Sequence, residues 1–224
     1  MSFAIISERL ESRMLFAGIP EGNVFAQTNL VSDGFVAAAH TDPDLKNPWG
    51  VASIPGGPFW VADNGTSKST LYDSTGVKQS LVVAIPGGGG GASFPTGTVY
   101  NGRNAFNIVK NQSTGPAQFI FVGEDGAISG WNAAVDATNA IIAVDNSASG
   151  AIYKGATIGL YLHHPRLFAT NFHSGKIEMY DANFTRIGKK RRVRRSAHPG
   201  GICTVQYSGD QRAAVRHICA PGCR

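Results

Sequence analysis

Cysteine is almost missing from this chain, and the three present, Cys203, Cys219 and Cys223, stand near its C-terminal end, so the first 202 residues contain none. A disulfide-stapled body is thereby excluded, and so is a thiolate metal centre within it. Long apolar runs are missing too. No stretch approaches the about 18 residues of a membrane helix, and mean hydropathy is -0.07, which excludes a helical membrane span. Charged residues are scarce at 16%, and a 3.6-residue apolar period is visible only around Ser7 to Phe16, which speaks against a helical bundle. What the chain has is glycine, 28 residues in 224, and a 42% hydrophobic share sufficient for a core. Many tight turns between short apolar segments indicate an all-β fold.

The net charge of +5 is unevenly distributed. Residues 189–224 hold nine of the 20 Lys and Arg and one of the 15 acids, a local charge of +8, leaving -3 on residues 1–188. The chain therefore divides into an N-terminal segment (1–26), a body (27–188) and a basic, cysteine-containing tail (189–224).

The body is repetitive. Three segments share one plan of strand, turn, strand with an aromatic end, turn: Pro58 to Gly65 with Ser69 to Gly76; Gln118 to Gly126 with Ala127 to Asn132; Arg166 to Gly175 with Lys176 to Asp181. β-branched and aromatic residues suit pleated strands, while Asn-Gly, Asp-Gly and Ser-Gly supply the positive φ of hairpin turns. Trp60 to Phe121 is 61 residues and Phe121 to Phe168 is 47. Allowing for the insertion Gly87 to Gly91, this is near the about 40 to 50 of propeller blades. The expectation is a β-propeller fragment of about three four-stranded blades, followed by a disordered or poorly ordered C-terminal tail.

Asn29-Leu30-Val31-Ser32-Asp33, Asn47-Pro48-Trp49-Gly50-Val51-Ala52 and Gly57 to Gly65 together resemble a family of uncharacterised bacterial β-propeller-like proteins, some carrying a C-terminal PEP-type sorting signal. The resemblance covers roughly residues 27–188. It implies a propeller and an extracellular or cell-surface location, and no mechanism. Leu10 to Ala17 resembles the LEPR-x-LL segment of secreted bacterial proteins, with Ser12 and Phe16 departing from it, and makes residues 1–26 an export-associated or flexible segment. An orthodox signal peptide is not visible, because Phe3 to Ile6 is too short for its apolar region.

Lys189-Lys190-Arg191-Arg192-Val193-Arg194-Arg195 reads in isolation as a nucleic-acid patch or a solvated tail. A third reading fits better. Three blades do not close a propeller, and a one-base shift allows residues 189–220 to encode a segment similar to Asn47 to Asp63. The tail is then the frameshifted start of a fourth blade, the product is truncated, and no nucleic-acid partner is expected. Unpaired blade faces imply self-association.

Few residues suggest chemistry. The cysteines are odd in number, and His163-His164 would point to opposite faces of a strand. Gly87 to Gly91 lacks the Lys-Ser/Thr of a phosphate loop and reads as a linker or blade insertion. Trp49, Trp60 and Trp131 recur at equivalent kinds of positions, which favours packing between blades over a sugar-stacking platform. Asp63, Asn64 and Asn171 stand at strand ends where oxygen ligands could gather a divalent cation, although Asn and Asp also serve turns. No other cofactor is indicated and no catalytic set is visible. The expected function is an exported binding or structural module for an unidentified ligand or cell-surface partner; the alternative is a metal-dependent lactonase- or lyase-like propeller enzyme.

Overall fold

The computed structural model describes residues 27–188 and, beyond them, only the backbone of a short ladder between residues 194–195 and 205–206. The segment 1–26 and the readings of residues 189–224 as poorly ordered, truncated or frameshifted lie outside the described residues. Seventeen strands follow in chain order: β1 (Val31–Ser32), β2 (His40–Thr41), β3 (Pro48–Ser53), β4 (Phe59–Asp63), β5 (Lys68–Tyr72), β6 (Lys78–Ala84), β7 (Pro95–Tyr100), β8 (Asn107–Lys110), β9 (Ser113–Pro116), β10 (Phe119–Gly123), β11 (Ala127–Trp131), β12 (Ile141–Asp145), β13 (Tyr153–Tyr161), β14 (His164–Asn171), β15 (Lys176–Tyr180), β16 (Arg194–Arg195) and β17 (Val205–Gln206). The only helical pieces among the described residues are two three-residue 3-10 turns, so the fold is all-β. No helix there is long and apolar enough to cross a membrane.

Three antiparallel sheets dominate: β3-β4-β5-β6, β7-β10-β11-β12 and β13-β14-β15. The hairpin β8-β9 is inserted between the first and second strands of the middle sheet. The third sheet has three strands rather than the expected four among the described residues. Its last turn nonetheless copies that of the first. Asp73 Oδ1 accepts from the backbone of Thr75 and Val77, and Asp181 Oδ1 accepts from Asn183 and Thr185. The first turn leads Lys78 to pair with Tyr72, and the other brings Arg186 back to an isolated antiparallel bridge with Tyr180.

Strand pairing fixes which residues are equivalent. Phe59–Tyr72, Phe119–Trp131 and Leu167–Tyr180 are the same cross-strand pair in successive sheets. Because side chains alternate along a strand, one face of each sheet then meets the opposite face of the next. Between the first and second sheets Trp60 stacks on Phe119 at 4.0 Å and tilts against Trp131 at 4.7 Å. Between the second and third, Ile120, Val122 and Ile128 share a core with Leu167, Ala169 and Tyr180. Trp60, Ile120 and Phe168 are repeat equivalents. The first two are buried between sheets, and Phe168 stands half-buried on the outer face of the third.

The first strand of each sheet lies beside the first strand of the next, and glycine permits the approach. A Cβ on Gly50 of β3 would lie 2.6 Å from the Thr98 nitrogen of β7, and one on Gly97 would lie 3.0 Å from the Ala156 nitrogen of β13. Gly155 occupies the matching place in β13. Pairing shifts register beside each of these glycines, between Pro48 and Val51, between Val122 and Gly123 opposite Gly97 and Pro95, and between Tyr153 and Ala156. Such bulges bend the strand and re-aim the side chain next to the glycine.

Candidate functional site

The residues preceding those glycines are Trp49, Thr96 and Lys154. Each stands near the start of an innermost strand, at the end of the molecule where the second strands β4, β10 and β14 run out. The first residues beyond those second strands are Asn64, Glu124 and Phe172. Six positions related by the repeat thus surround one end of the innermost strands. Thr96 turns inward, its single hydroxyl hydrogen shared between the carbonyls of Tyr153 (2.7 Å) and Val122 (3.2 Å). Phe172 is exposed.

The remaining four, with Asn47, form one polar chain. The Trp49 indole N–H donates to Asn47 Oδ1 (3.2 Å), Asn47 Nδ2 to Asn64 Oδ1 (3.1 Å), and Asn64 Nδ2 to Glu124 Oε2 (3.1 Å). The second carboxylate oxygen of Glu124 takes an ion pair from Lys154, whose ammonium also lies 4.4 Å from the centre of the Trp49 ring. The chain of contacts closes on itself. Trp49 and Asn64 come from the first sheet, Glu124 from the second and Lys154 from the third. The hydrogen bond from Lys154 holds the Glu124 carboxyl below its ordinary range, with Asn64 adding to the effect. Asn64 is buried, whereas Trp49 keeps 45% of its surface.

The three residues singled out as oxygen ligands are dispersed. Asn64 belongs to the polar chain. Asp63 is fully buried in the first sheet, its Oδ2 accepting from the backbone and hydroxyl of Thr70 (3.1 and 2.7 Å), while its Oδ1 has no partner. Burial pushes its pKa up to about 7, assisted by the charges of Asp42 and Asp44. Asn171, its equivalent, donates to Glu178 Oε1 (3.1 Å) and accepts from Ile152 and Ser174, serving the turn and the sheet interior. No three His, Cys, Asp or Glu gather into a metal cage among the described residues. A cation at Glu124 would have to compete with Lys154.

Other expectations resolve in the same geometry. Trp60 and Trp131 pack between sheets as their type suggests, but Trp49 does not. The glycine loop serves as a clasp: Gly88 N–H donates to Asp125 Oδ2 (2.6 Å) and Gly89 N–H to Asp145 Oδ2 (2.9 Å). Those amides are taken by the chain's own carboxylates. Glu178, unremarked in the sequence, accepts from Tyr153, Asn171 and Tyr180 and pairs with Arg186. Burial alone would raise its pKa, but hydrogen bonds from Tyr180, Tyr153 and Asn171 and the charge of Arg186 outweigh burial and hold it below the ordinary value. Glu124 and Lys154 were also missed, the only sequence signal being the recurrence of Trp-Gly, Thr-Gly and Lys-Gly ahead of the apolar second strands.

No family model matches the chain. It is similar to two uncharacterised proteins of Acanthamoeba polyphaga mimivirus, 32% identical over 158 residues and 31% over 160, in each case 70% of this chain and 39% and 41% of the relative. The relatives are viral. The assignment to a bacterial family with a sorting signal is corrected on this point, and the argument it supplied for export goes with it. A third mimivirus protein is 29% identical over 64% of this chain and 26% of its own length. The chain spans about two-fifths of the length of the first two. Among solved structures, a catalytically inactive virginiamycin B lyase from Staphylococcus aureus with quinupristin aligns at a TM-score of 0.46 and 16% identity, over 68% of this chain and 43% of that one. That likeness is too slight to bear on activity.

Proposed function

We propose that the three sheets are successive blades of a β-propeller, and that the protein is a binding module whose ligand seats on the polar chain at the end of the innermost strands. The observation that carries this is the convergence of Trp49, Asn64, Glu124 and Lys154 from three sheets on one place. Structural needs alone do not call for an exposed indole in such a chain. Groups gathered from several elements at the mouth of a β-fold are a general way of building a ligand site. The propeller reading is supported by the repeated face-to-face stacking, the glycine approaches between first strands and the common register of their bulges.

The test is a thermal-shift screen of the full chain against sugars, amino acids, carboxylates, phosphate esters and divalent cations. The reading expects at least one class to raise the melting temperature of the wild type and to lose that effect in Trp49→Ala and Glu124→Gln. Ligands that stabilise all three proteins equally would place the site elsewhere. Stabilisation by a divalent cation that depends on Glu124 would favour the metal-dependent enzyme instead.

A further inference from the structure

We infer that the ligand of this site is a neutral, polyhydroxylated molecule, a saccharide, with one ring face laid on Trp49. The inference rests on the binding-module reading and adds the ligand class to it. Three features of the polar chain lead there.

The first is charge. Glu124 and Lys154 neutralise each other, and Asn47 and Asn64 are uncharged. An anion would be repelled by Glu124, and a cation would have to displace Lys154. The second is spare hydrogen-bonding capacity. Each amide has two N–H donors and two acceptor lone pairs, and the chain uses one donor and one acceptor of each. One N–H and one lone pair therefore remain on the exposed Asn47, at least one N–H on Lys154, and free lone pairs on Glu124. Donors and acceptors in alternation suit hydroxyl groups, which give and take together. Because the bonds run in one direction from Trp49 to Glu124, a hydroxyl added to them joins an already polarised network.

The third is the indole. Asn47 holds its N–H edge and Lys154 occupies one face, so the ring is fixed before a ligand arrives. Trp49 keeps 45% of its surface exposed beside these polar groups, and an indole offers apolar ring surface. Such a pair of surfaces matches a pyranose, which is apolar across its C–H face and polar at its rim. Pre-organisation lowers the ordering cost of binding.

The experiment is a fluorescence titration of the full chain with glucose, galactose, N-acetylglucosamine and their short oligomers, beside inorganic phosphate and tetramethylammonium. Trp60 and Trp131 are 3% and 4% exposed, so the solvent-sensitive signal among the described tryptophans belongs to Trp49. The expected result is a saturable change with at least one saccharide in the millimolar range. Affinity should fall about tenfold in Asn47→Ala, which frees the indole edge while keeping the fluorophore. It should fall by a similar factor in Glu124→Gln, with circular dichroism showing that both variants fold. If phosphate or tetramethylammonium alters Trp49 and no saccharide does, the ligand class is overturned while the binding site stands. If no compound in this titration or in the thermal-shift screen acts on Trp49, both are overturned.

Discussion

Replacing Asp63 by asparagine isolates the one buried acid among the described residues that the fold leaves half-satisfied. Its Oδ2 is bonded to Thr70, its Oδ1 has no partner, and Lys68, opposite it in the register, turns its ammonium to Asp44 at 2.6 Å instead. Burial, with Asp42 and Asp44 nearby, lifts the Asp63 pKa from 3.8 to about 7. A rise of about three units corresponds to roughly 4 kcal/mol between the protonation states. The sign follows from linkage. Below the unfolded pKa both states hold the proton and nothing is lost. As pH rises toward 7 the unfolded chain releases it while the folded chain keeps it, so stability falls, and above about 7 the full penalty is present. Asparagine removes this penalty but places an unpaired N–H where Oδ1 stood, at a cost of about 1–3 kcal/mol. Asp63→Asn should therefore be about 1–3 kcal/mol more stable than wild type at pH 8.5 and less stable near pH 4. Urea unfolding at half-unit intervals of pH measures both curves. A stability difference that stays constant across this range would refute the account, because it would mean that Asp63 titrates alike in the folded and unfolded chain.

Three further outcomes are expected. Gly97→Val should destabilise by at least about 3 kcal/mol, since its first added carbon already meets Val122 at 2.8 Å and the backbone of β13 at 3.0 Å; chemical denaturation gives the value, and a neutral result would disprove the close approach of β7 and β13. His163→Gly should stabilise by roughly 1 kcal/mol, because Leu162 and His163 turn the β13–β14 hairpin at φ 51° and 64°, a region costly for side chains. A lowered melting temperature would show that the turn is held by side-chain contacts. On the outer face of the third sheet, Phe168 and Met179 are half-buried neighbours in the register; the expectation is that the wild type self-associates through this face in light scattering and that Met179→Glu reduces it, and a monomeric wild type or unchanged association in the variant would refute this.

The second and third strands of each repeat were legible because apolar alternation and their turn residues announce them. Phe59 to Asp63, Phe119 to Gly123 and the Tyr72-Asp73 and Tyr180-Asp181 strand ends are found where the pattern puts them. Their register was not. The pattern aligns Phe121 with Trp60, but the cross-strand pairs Phe59–Tyr72 and Phe119–Trp131 set the second strands 60 residues apart, which makes Ile120 the equivalent. The first strands were harder still: Pro-Trp-Gly, Pro-Thr-Gly and Tyr-Lys-Gly share only a glycine, whose role is to admit a neighbouring backbone.

Local chemistry sufficed for the all-β class, the turn positions and the core face of the second strands, since each depends on residues close together in the chain. Asp63, Asn64 and Asn171 look alike by that measure, all being polar residues at strand ends. What separates them is the company that the sheets bring. Asp63 finds Thr70 and Asn171 finds Glu178, each seven residues on and across one hairpin, whereas Asn64 meets Glu124, sixty residues away. Lys154 reaches both Glu124 and Trp49 for the same reason. Stacking the three sheets on their first strands brings those groups to one end, and that juxtaposition belongs to the tertiary structure alone.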